Sequence, residues 1–437
     1  MNELPVVHKF GGSCLRDASD LEHIAEIITK ADHPVVLVVS ALWGTTDRLM
    51  RAAQEPRYAG RLVNDLASHH LRFSPTLIES PLYEIFQRVL DGIEESLTAL
   101  ATDRDDRQAY NQLLASGERL SALVIAHALS IRGIEAHPLG SEDIGLQLNG
   151  EGTATQVDLT GSRRKLDRDA FHGVPVVTGW FGEGTDGNIA LLGRGGSDHT
   201  ATALAALLQA QRVVLWKDVL GIYPVNPRWG VQSAPIPYLG YGEAIEFSNA
   251  DATILHPATV EPVYEMGIPI EIRHLSRYKE NGLKTVIGPD IETEPNIKGI
   301  ACIPRVACVN AEVRYAQDAA LELSDLLQEL NEANVRICSF ETTNAQWRFV
   351  FPQHEVSRGV HIIKQRCTVV DYEYYAAMLS FIGCRDIDYL QEKLAQYHDV
   401  NEGQLYQSVT SIHMLSKRAD ISRMLDEMMA LVSKSGE

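Results

Sequence analysis

Apolar positions along the chain form short strand-like runs separated by longer stretches of helical period. Val6–Phe10 is such a run, ending at Gly11-Gly12-Ser13. Leu21, Ile24, Ala25 and Ile28 then recur at helical spacing behind a capping box of Ser19 and Glu22. Val35–Val39 is continuously apolar, the pattern of a strand buried on both faces of a parallel sheet. The opening is therefore a β-loop-α-β unit with glycines at the carboxyl end of its first strand, where open α/β sheets hold their ligands.

The alternation continues. Ser40 ends the second strand, and Gly44-Thr45-Thr46-Asp47 opens a helix whose hydroxyls and carboxylate also suit N-caps. Residues 51–106 read as helices of mixed polarity broken at Pro56, Pro75 and Pro81; His69-His70 has no partner at metal-ligand spacing and is expected at the surface. Residues 110–132 predict a long helix closed by Gly133. It carries Ser116-Gly117-Glu118 among Leu113, Leu114, Leu120 and Leu123, so Glu118 either faces solvent or is held for a ligand.

Residues 174–180 predict another buried strand, and Gly182-Glu183-Gly184-Thr185-Asp186-Gly187 follows. It matches a dinucleotide fingerprint formally, but a strand-like run at 188–192 comes next where that motif needs a helix, so a hairpin is expected. A helix at 200–211, a strand at 213–216, helical stretches within 243–265 split near Leu255-His256-Pro257, and strands at 268–272 and 285–287 complete the sheet. The acidic stretch 289–296 reads as a linker. Beyond it, short strands (306–309, 335–340, 347–351, 368–370, 375–381, 404–413) alternate with helices (321–330, 356–364, 387–397, 421–432). That pattern suits two small α+β modules of roughly 70 residues each.

Composition narrows the class. The chain has 437 residues, 45% hydrophobic and 22% charged, ordinary for a globular protein with a sizeable core. No run approaches the roughly 20 apolar residues that span a bilayer, and residues 1–10 lack a signal-peptide pattern, so a cytoplasmic protein is expected. A net charge of -19 repels nucleic acid and anionic membranes, so an anionic substrate must be met by locally placed cations. Cys14, Cys302, Cys308, Cys338, Cys367 and Cys384 include no CxxC pair, so free thiols are expected and a structural zinc site is not.

The chemistry concentrates in Gly193-Arg194-Gly195-Gly196-Ser197-Asp198, between a strand and a helix. Three glycines let backbone amides approach a ligand, Arg194 adds a fork-shaped cation and Asp198 a carboxylate, a set suited to a small zwitterion or a phosphate. A capped glycine-rich turn would read the same way. Lys9 precedes its glycines, and the chain contains no Walker sequence. Lys217-Asp218-Val219-Leu220-Gly221-Ile222-Tyr223, closed by Asn226-Pro227-Arg228, is a further charged loop after a strand.

Lys9-Phe10-Gly11-Gly12-Ser13, Ser116-Gly117-Glu118, the Gly193 to Asp198 loop, Asp218 to Tyr223 and Leu255-His256-Pro257, in that order and spacing, resemble the aspartate kinase branch of the amino acid kinase family. The resemblance covers about residues 4–290, and the C-terminal modules look like the paired ACT domains of those enzymes. It implies a three-layer α/β/α sandwich as a catalytic domain over 1–290, and a regulatory or dimerising region over 296–437 with two ferredoxin-like modules. The family phosphorylates a carboxylate with ATP and a divalent metal, here Mg2+. The implied reaction converts L-aspartate to aspartyl phosphate, the first step toward lysine, threonine and methionine.

By motif, Lys9 would neutralise the transferring phosphoryl group, Gly11 and Gly12 would present amides to it with Ser13 beside them, and Asp198 would orient Lys9. Glu118 would hold the substrate ammonium and Arg194 its α-carboxylate, with Ser40, Thr46 and Ser197 lining the pocket. Asp218, Tyr223 and Arg228 would bind the nucleotide, and no side chain is assigned to a metal.

Three departures qualify the resemblance. Lys217-Asp218 stands where the family has Thr-Asp, and Asn226-Pro227-Arg228 where it has Asp-Pro-Arg. The family's lysine before His-Pro is Thr253, and Lys217 is expected to supply that cation to ATP instead. Residues 310–320 also lack the glycine at which ACT effectors dock, so the modules serve either an amino-acid effector or homodimer or higher assembly alone. The alternatives are a kinase for a related amino-acid carboxylate and a catalytically weak amino-acid sensor.

Overall fold

The computed structural model describes residues 3–55, 59–152, 155–250, 254–280, 282–291, 297–313, 319–333, 335–343, 346–395 and 405–432. Thr253, most of the expected linker and the centre of the glycine-free stretch 310–320 lie outside them. By contact the chain groups into two compact units, Met1–Ile222 with Pro237–Tyr241 and Leu255–Pro289, and Tyr223–Ile236 with Gly242–Ile254 and Asp290–Glu437.

The first unit is built on strands β1 (Val6–Phe10), β2 (Val35–Val39), β3 (Ala136–Leu139), β4 (Val174–Thr178), β5 (Phe181–Glu183), β6 (Ile189–Leu191), β7 (Arg212–Lys217), β8 (Tyr238–Gly240), β9 (Ile270–His274) and β10 (Lys284–Gly288). Eight form one sheet in the order β3-β4-β2-β1-β7-β9-β10-β8, parallel from β3 through β9. β10 runs antiparallel to β9, and β5-β6 is the hairpin expected in place of a dinucleotide turn. Helices α1 (Ala18–Thr29), α2 (Thr45–Gln54), α3 (Ala59–Leu71), α4 (Leu82–Thr102), α5 (Arg107–Ser130), α6 (Leu159–Lys165) and α7 (Gly196–Leu208) connect these strands. α8 (Tyr241–Asn249) and α9 (Glu261–Tyr264) follow β8.

The two sheet faces follow from strand alternation. Val6 and Phe10, Leu37 and Val39, and Val214 and Trp216 join a core with α1, α4 and α5. α5 is buried from Leu113 to Leu129 except at Arg119, so it is apolar nearly all round, as a central helix must be. Val7 and Lys9, and Val213, Leu215 and Lys217, therefore face the opposite side, where α7 packs on β1 and β7. Helices on both faces of a mostly parallel sheet make the expected three-layer sandwich.

The structure corrects three local expectations. The first helix is capped by Asp17, whose carboxylate accepts from the Ser19 amide at 2.8 Å, so Ser19 lies inside the first turn. α7 begins at Gly196, not Thr200, because Gly196 and Ser197 are held by packing against Trp180 and Gly179, which overrides the poor helix propensity of glycine. His69 and His70 are buried, not superficial. His70 Nδ1–H donates to the Leu66 carbonyl at 2.8 Å, and both rings pack edge-on to phenylalanines. Burial pushes the His70 imidazole down to about 3, so it is a neutral core aromatic.

The second unit carries β11 (Gly299–Val313), β12 (Ser339–Thr342), β13 (Gln346–Pro352), β14 (Cys367–Ile382), β15 (Leu405–Gln407) and β16 (Ser411–Ser416) in one antiparallel sheet, order β12-β13-β11-β14-β16-β15. α10 (Ala319–Glu332) and α11 (Val356–Ile363) cover one half, and α12 (Ile387–Leu394) and α13 (Ile421–Met428) the other. The expected short strands at 306–309, 368–370 and 375–381 are segments of β11 and β14, two long strands that fuse the α+β halves into one sheet. All six cysteines are free thiols.

Candidate active site

β4, β2, β1 and β7 are neighbours, and their carboxyl ends run into Gly179, Ser40, Gly11 and Asp218. The chain ends of a parallel sheet thus converge where the sequence places its polar loops. A cleft of 360 Å³ opens there, lined by Lys9, Gly12, Ser40, Thr46, Glu118 and Arg194 among others, with Ser197.

Lys9 and Lys217 face the same side on adjacent strands, and Asp198 in the first turn of α7 lies over them. Lys9 Nζ is 2.5 Å from Asp198 Oδ1 and Lys217 Nζ 2.8 Å from Oδ2. Burial alone would push the Asp198 carboxyl up, but the Lys217 and Lys9 ammoniums more than offset it and hold it well below the usual carboxylate range. Two cations on one anion leave the Lys9-Asp198-Lys217 cluster itself with one uncompensated positive charge. Gly11 continues the strand into a 3-10 turn, Gly12–Cys14, with Ser13 inside it.

Glu118 is on the buried α5, and one oxygen accepts from the Ala41 amide at 3.1 Å. Its other oxygen, Oε2, is buried without a hydrogen-bond partner. Burial pushes its carboxyl up to about 8, with the Ala41 amide pulling the other way. This approach depends on Gly117: a Cβ there would lie 3.0 Å from the Ala41 Cβ and 3.3 Å from Thr45 Cγ2. A buried, half-satisfied carboxylate at a cleft is a receptor for a cationic group.

Ser40 Oγ donates to Ser197 Oγ at 3.0 Å, tying the β2 end to α7. Arg194 is exposed at the rim. Gly195 takes φ 73°, where a Cβ would come within 2.6 Å of His256 Cβ, so the loop leans on the Leu255-His256-Pro257 motif. Asp218 follows Lys217 and is exposed. Tyr223 and Arg228 group with the second unit, where Arg228 lies over the Trp229 ring at 5.1 Å. The cleft gathers Lys9, Gly12 and the acceptor-side residues, while Gly11, Ser13, Asp198, Lys217, Asp218, Tyr223 and Arg228 do not line it.

Sequence reasoning missed Trp180. It sits at φ 75°, its amide donating to Thr200 Oγ1 at 3.1 Å and its Nε1–H to the Leu192 carbonyl at 2.8 Å. It thus grips both ends of the Gly193 to Asp198 loop. No sequence pattern marks such a tertiary brace.

A mostly parallel sheet, a glycine loop opening a helix at its strand ends, and two lysines sharing one buried carboxylate there make an arrangement suited to an anionic ligand. The sequence pattern of the amino acid kinase family matches residues 5–274, and the chain belongs to that family. It is similar to an aspartokinase of Geobacillus stearothermophilus, 28% identical over 78% of this chain and 73% of that protein. Aspartokinase 2 of Bacillus subtilis is 26% identical over 84% of this chain and 80% of its own length. The bifunctional aspartokinase/homoserine dehydrogenase 2 of Arabidopsis thaliana is 27% identical over 83% of this chain, which spans 42% of that longer protein. Among solved structures, E. coli aspartokinase III in complex with aspartate and ADP shares the fold with a TM-score of 0.79 at 22% identity, covering 97% of this chain and 99% of that one. Its lysine and aspartate complex gives a TM-score of 0.74 at 21% identity, covering 98% and 99%.

Proposed function

We propose that the chain transfers the γ-phosphoryl group of ATP to the side-chain carboxylate of L-aspartate, yielding 4-phospho-L-aspartate and ADP as the first step of lysine, threonine and methionine biosynthesis. The observation that carries this reading is a lysine pair on the Asp198 carboxylate, of which Lys9 reaches a cleft that also holds a buried Glu118 with an unpartnered oxygen. Family membership supports phosphoryl transfer by a kinase, and the names of the relatives support aspartate as the acceptor.

Aspartate's carboxylate is ionised near neutral pH, so attack needs no general base. One of its oxygens bonds to the γ-phosphorus while the β–γ bridging bond breaks and the pair leaves with ADP. Positioning and charge neutralisation then supply most of the catalysis. Lys9 neutralises the transferring group, and Asp198 holds Lys9 in place. Glu118 takes the acceptor's ammonium and Arg194 its α-carboxylate, with Ser40, Thr46 and Ser197 at its sides. Gly11, Gly12, Ser13 and Lys217 face the phosphates, and Asp218, Tyr223 and Arg228 the rest of the nucleotide.

A Mg2+ ion bound with ATP would be held mainly through the nucleotide and water and would offset phosphate charge during transfer. Among the described residues no three His, Cys, Asp or Glu side chains are grouped to hold a metal ion of their own. Residues 296–437 form the regulatory and dimerising region in this reading, with an amino acid as effector. Among the described residues no helix is long and apolar enough to cross a membrane.

The test is ADP release measured against a panel of carboxylate-bearing amino acids. Release dependent on L-aspartate and not on L-glutamate is expected; preference for another acceptor contradicts the assignment.

A further inference from the structure

Two indoles border the cleft and are held in opposite ways. Trp180 is locked on both its amide and its Nε1–H, with a left-handed backbone that bulky residues seldom adopt. Trp43 has a pinned backbone and an exposed side chain. Its amide donates to the Leu15 carbonyl at 3.0 Å, and Gly44, at φ 74°, turns the chain directly into α2. The residue is nonetheless 58% exposed while lining the cleft.

An indole so exposed leaves apolar surface in water that a ligand contact would bury. The cleft groups assigned to the acceptor are both ionisable: Glu118 buried within, Arg194 exposed at the rim. Ion pairs at a water-filled mouth are weak, and the same pairs under an apolar cover are far stronger. Because its backbone is held, any such cover from Trp43 would come from rotation of its side chain.

We propose that Trp43 is an acceptor-specificity residue whose indole closes over the bound amino acid. It shields the acceptor's pairs with Glu118 and Arg194 from water. It also limits what projects through the mouth, discriminating against acceptors whose α-carboxylate is enlarged to an ester. This inference rests on the reading of the cleft as the aspartate site.

The experiment combines steady-state kinetics with tryptophan emission during titration with L-aspartate. The chain has 5 tryptophans, so Trp43→Phe isolates the contribution of this one. Aspartate is expected to blue-shift the wild-type emission, and Trp43→Phe to lose that shift while still turning over aspartate. Trp43→Ala should raise KM for aspartate by about 10-fold or more, the loss expected when an indole no longer covers a desolvated cation. KM for ATP should stay unchanged, and discrimination against the α-methyl ester of aspartate should narrow. A wild-type enzyme active on aspartate whose Trp43→Ala variant keeps its KM and discrimination, or whose Trp43→Phe variant keeps the full shift, would overturn the proposal. A wild-type chain inert toward aspartate overturns the aspartate reading itself, and this inference with it.

Discussion

Lys217 and Lys9 share the two oxygens of one carboxylate, Lys217 at 2.8 Å from Asp198 Oδ2 and Lys9 at 2.5 Å from Oδ1. Their strands are adjacent in the sheet, and alternation turns both side chains toward α7. One buried anion therefore positions two cations at the carboxyl ends of adjacent parallel strands.

Lys217→Ala should separate the two lysines' roles. Asp198 keeps its pair with Lys9, so the fold and the acceptor pocket persist, while one cation facing the phosphates is lost. KM for ATP should rise roughly 10-fold or more, the scale of one charge-assisted contact, with KM for aspartate nearly unchanged. Equal effects on both constants would contradict the assignment.

Glu118 makes the ligand-free chain pH-sensitive in a definite direction. Its carboxyl lies at about 8 in the folded chain against an ordinary 4.5, so between those values the folded state holds a proton that the unfolded state has lost. Stability contributed by this group is full below the lower value and is lost as pH rises through the upper one. Thermal melts of wild type and Glu118→Gln should therefore diverge from pH 4.5 to 8, the variant gaining relative stability. Saturating aspartate should flatten the wild-type slope, because an ammonium on Oε2 favours the ionised form. A constant difference in Tm across this range would refute the linkage.

Gly117→Ala tests the geometry behind Glu118. Its Cβ would press on Ala41 at 3.0 Å, displacing the loop that both donates to Glu118 and carries Trp43. A loss of about 1–3 kcal/mol by urea denaturation is expected for such overpacking, with a rise in KM for aspartate exceeding that for ATP. An unperturbed KM at the same stability loss would mean the contact serves packing alone.

Much of the catalytic half was legible before the structure. Val6–Phe10 and Val35–Val39 carry a buried parallel-strand signal, and glycines directly after the first mark the ligand end of the sheet. What stayed hidden depended on contacts between distant segments. Nothing near Lys217 shows that Asp198, nineteen residues earlier, anchors it, since only strand order and facing bring them together. The histidine pair was misplaced because polarity suggests the surface, whereas a neutral imidazole with a backbone acceptor fills a core. β14 was read in pieces because Asp371, Tyr372, Glu373 and Tyr374 interrupt its apolar pattern. Those side chains are largely exposed, while backbone pairing with β11 carries the strand through.

The most direct test of the central claim is trapping of the acyl phosphate. Purified chain incubated with ATP, Mg2+, L-aspartate and hydroxylamine should yield aspartyl hydroxamate, and Lys9→Ala should lose at least about 100-fold in kcat, the scale of one preorganised donor, while still binding aspartate. Hydroxamate formed equally by Lys9→Ala, or none formed by a wild-type chain that binds both substrates, would contradict the account.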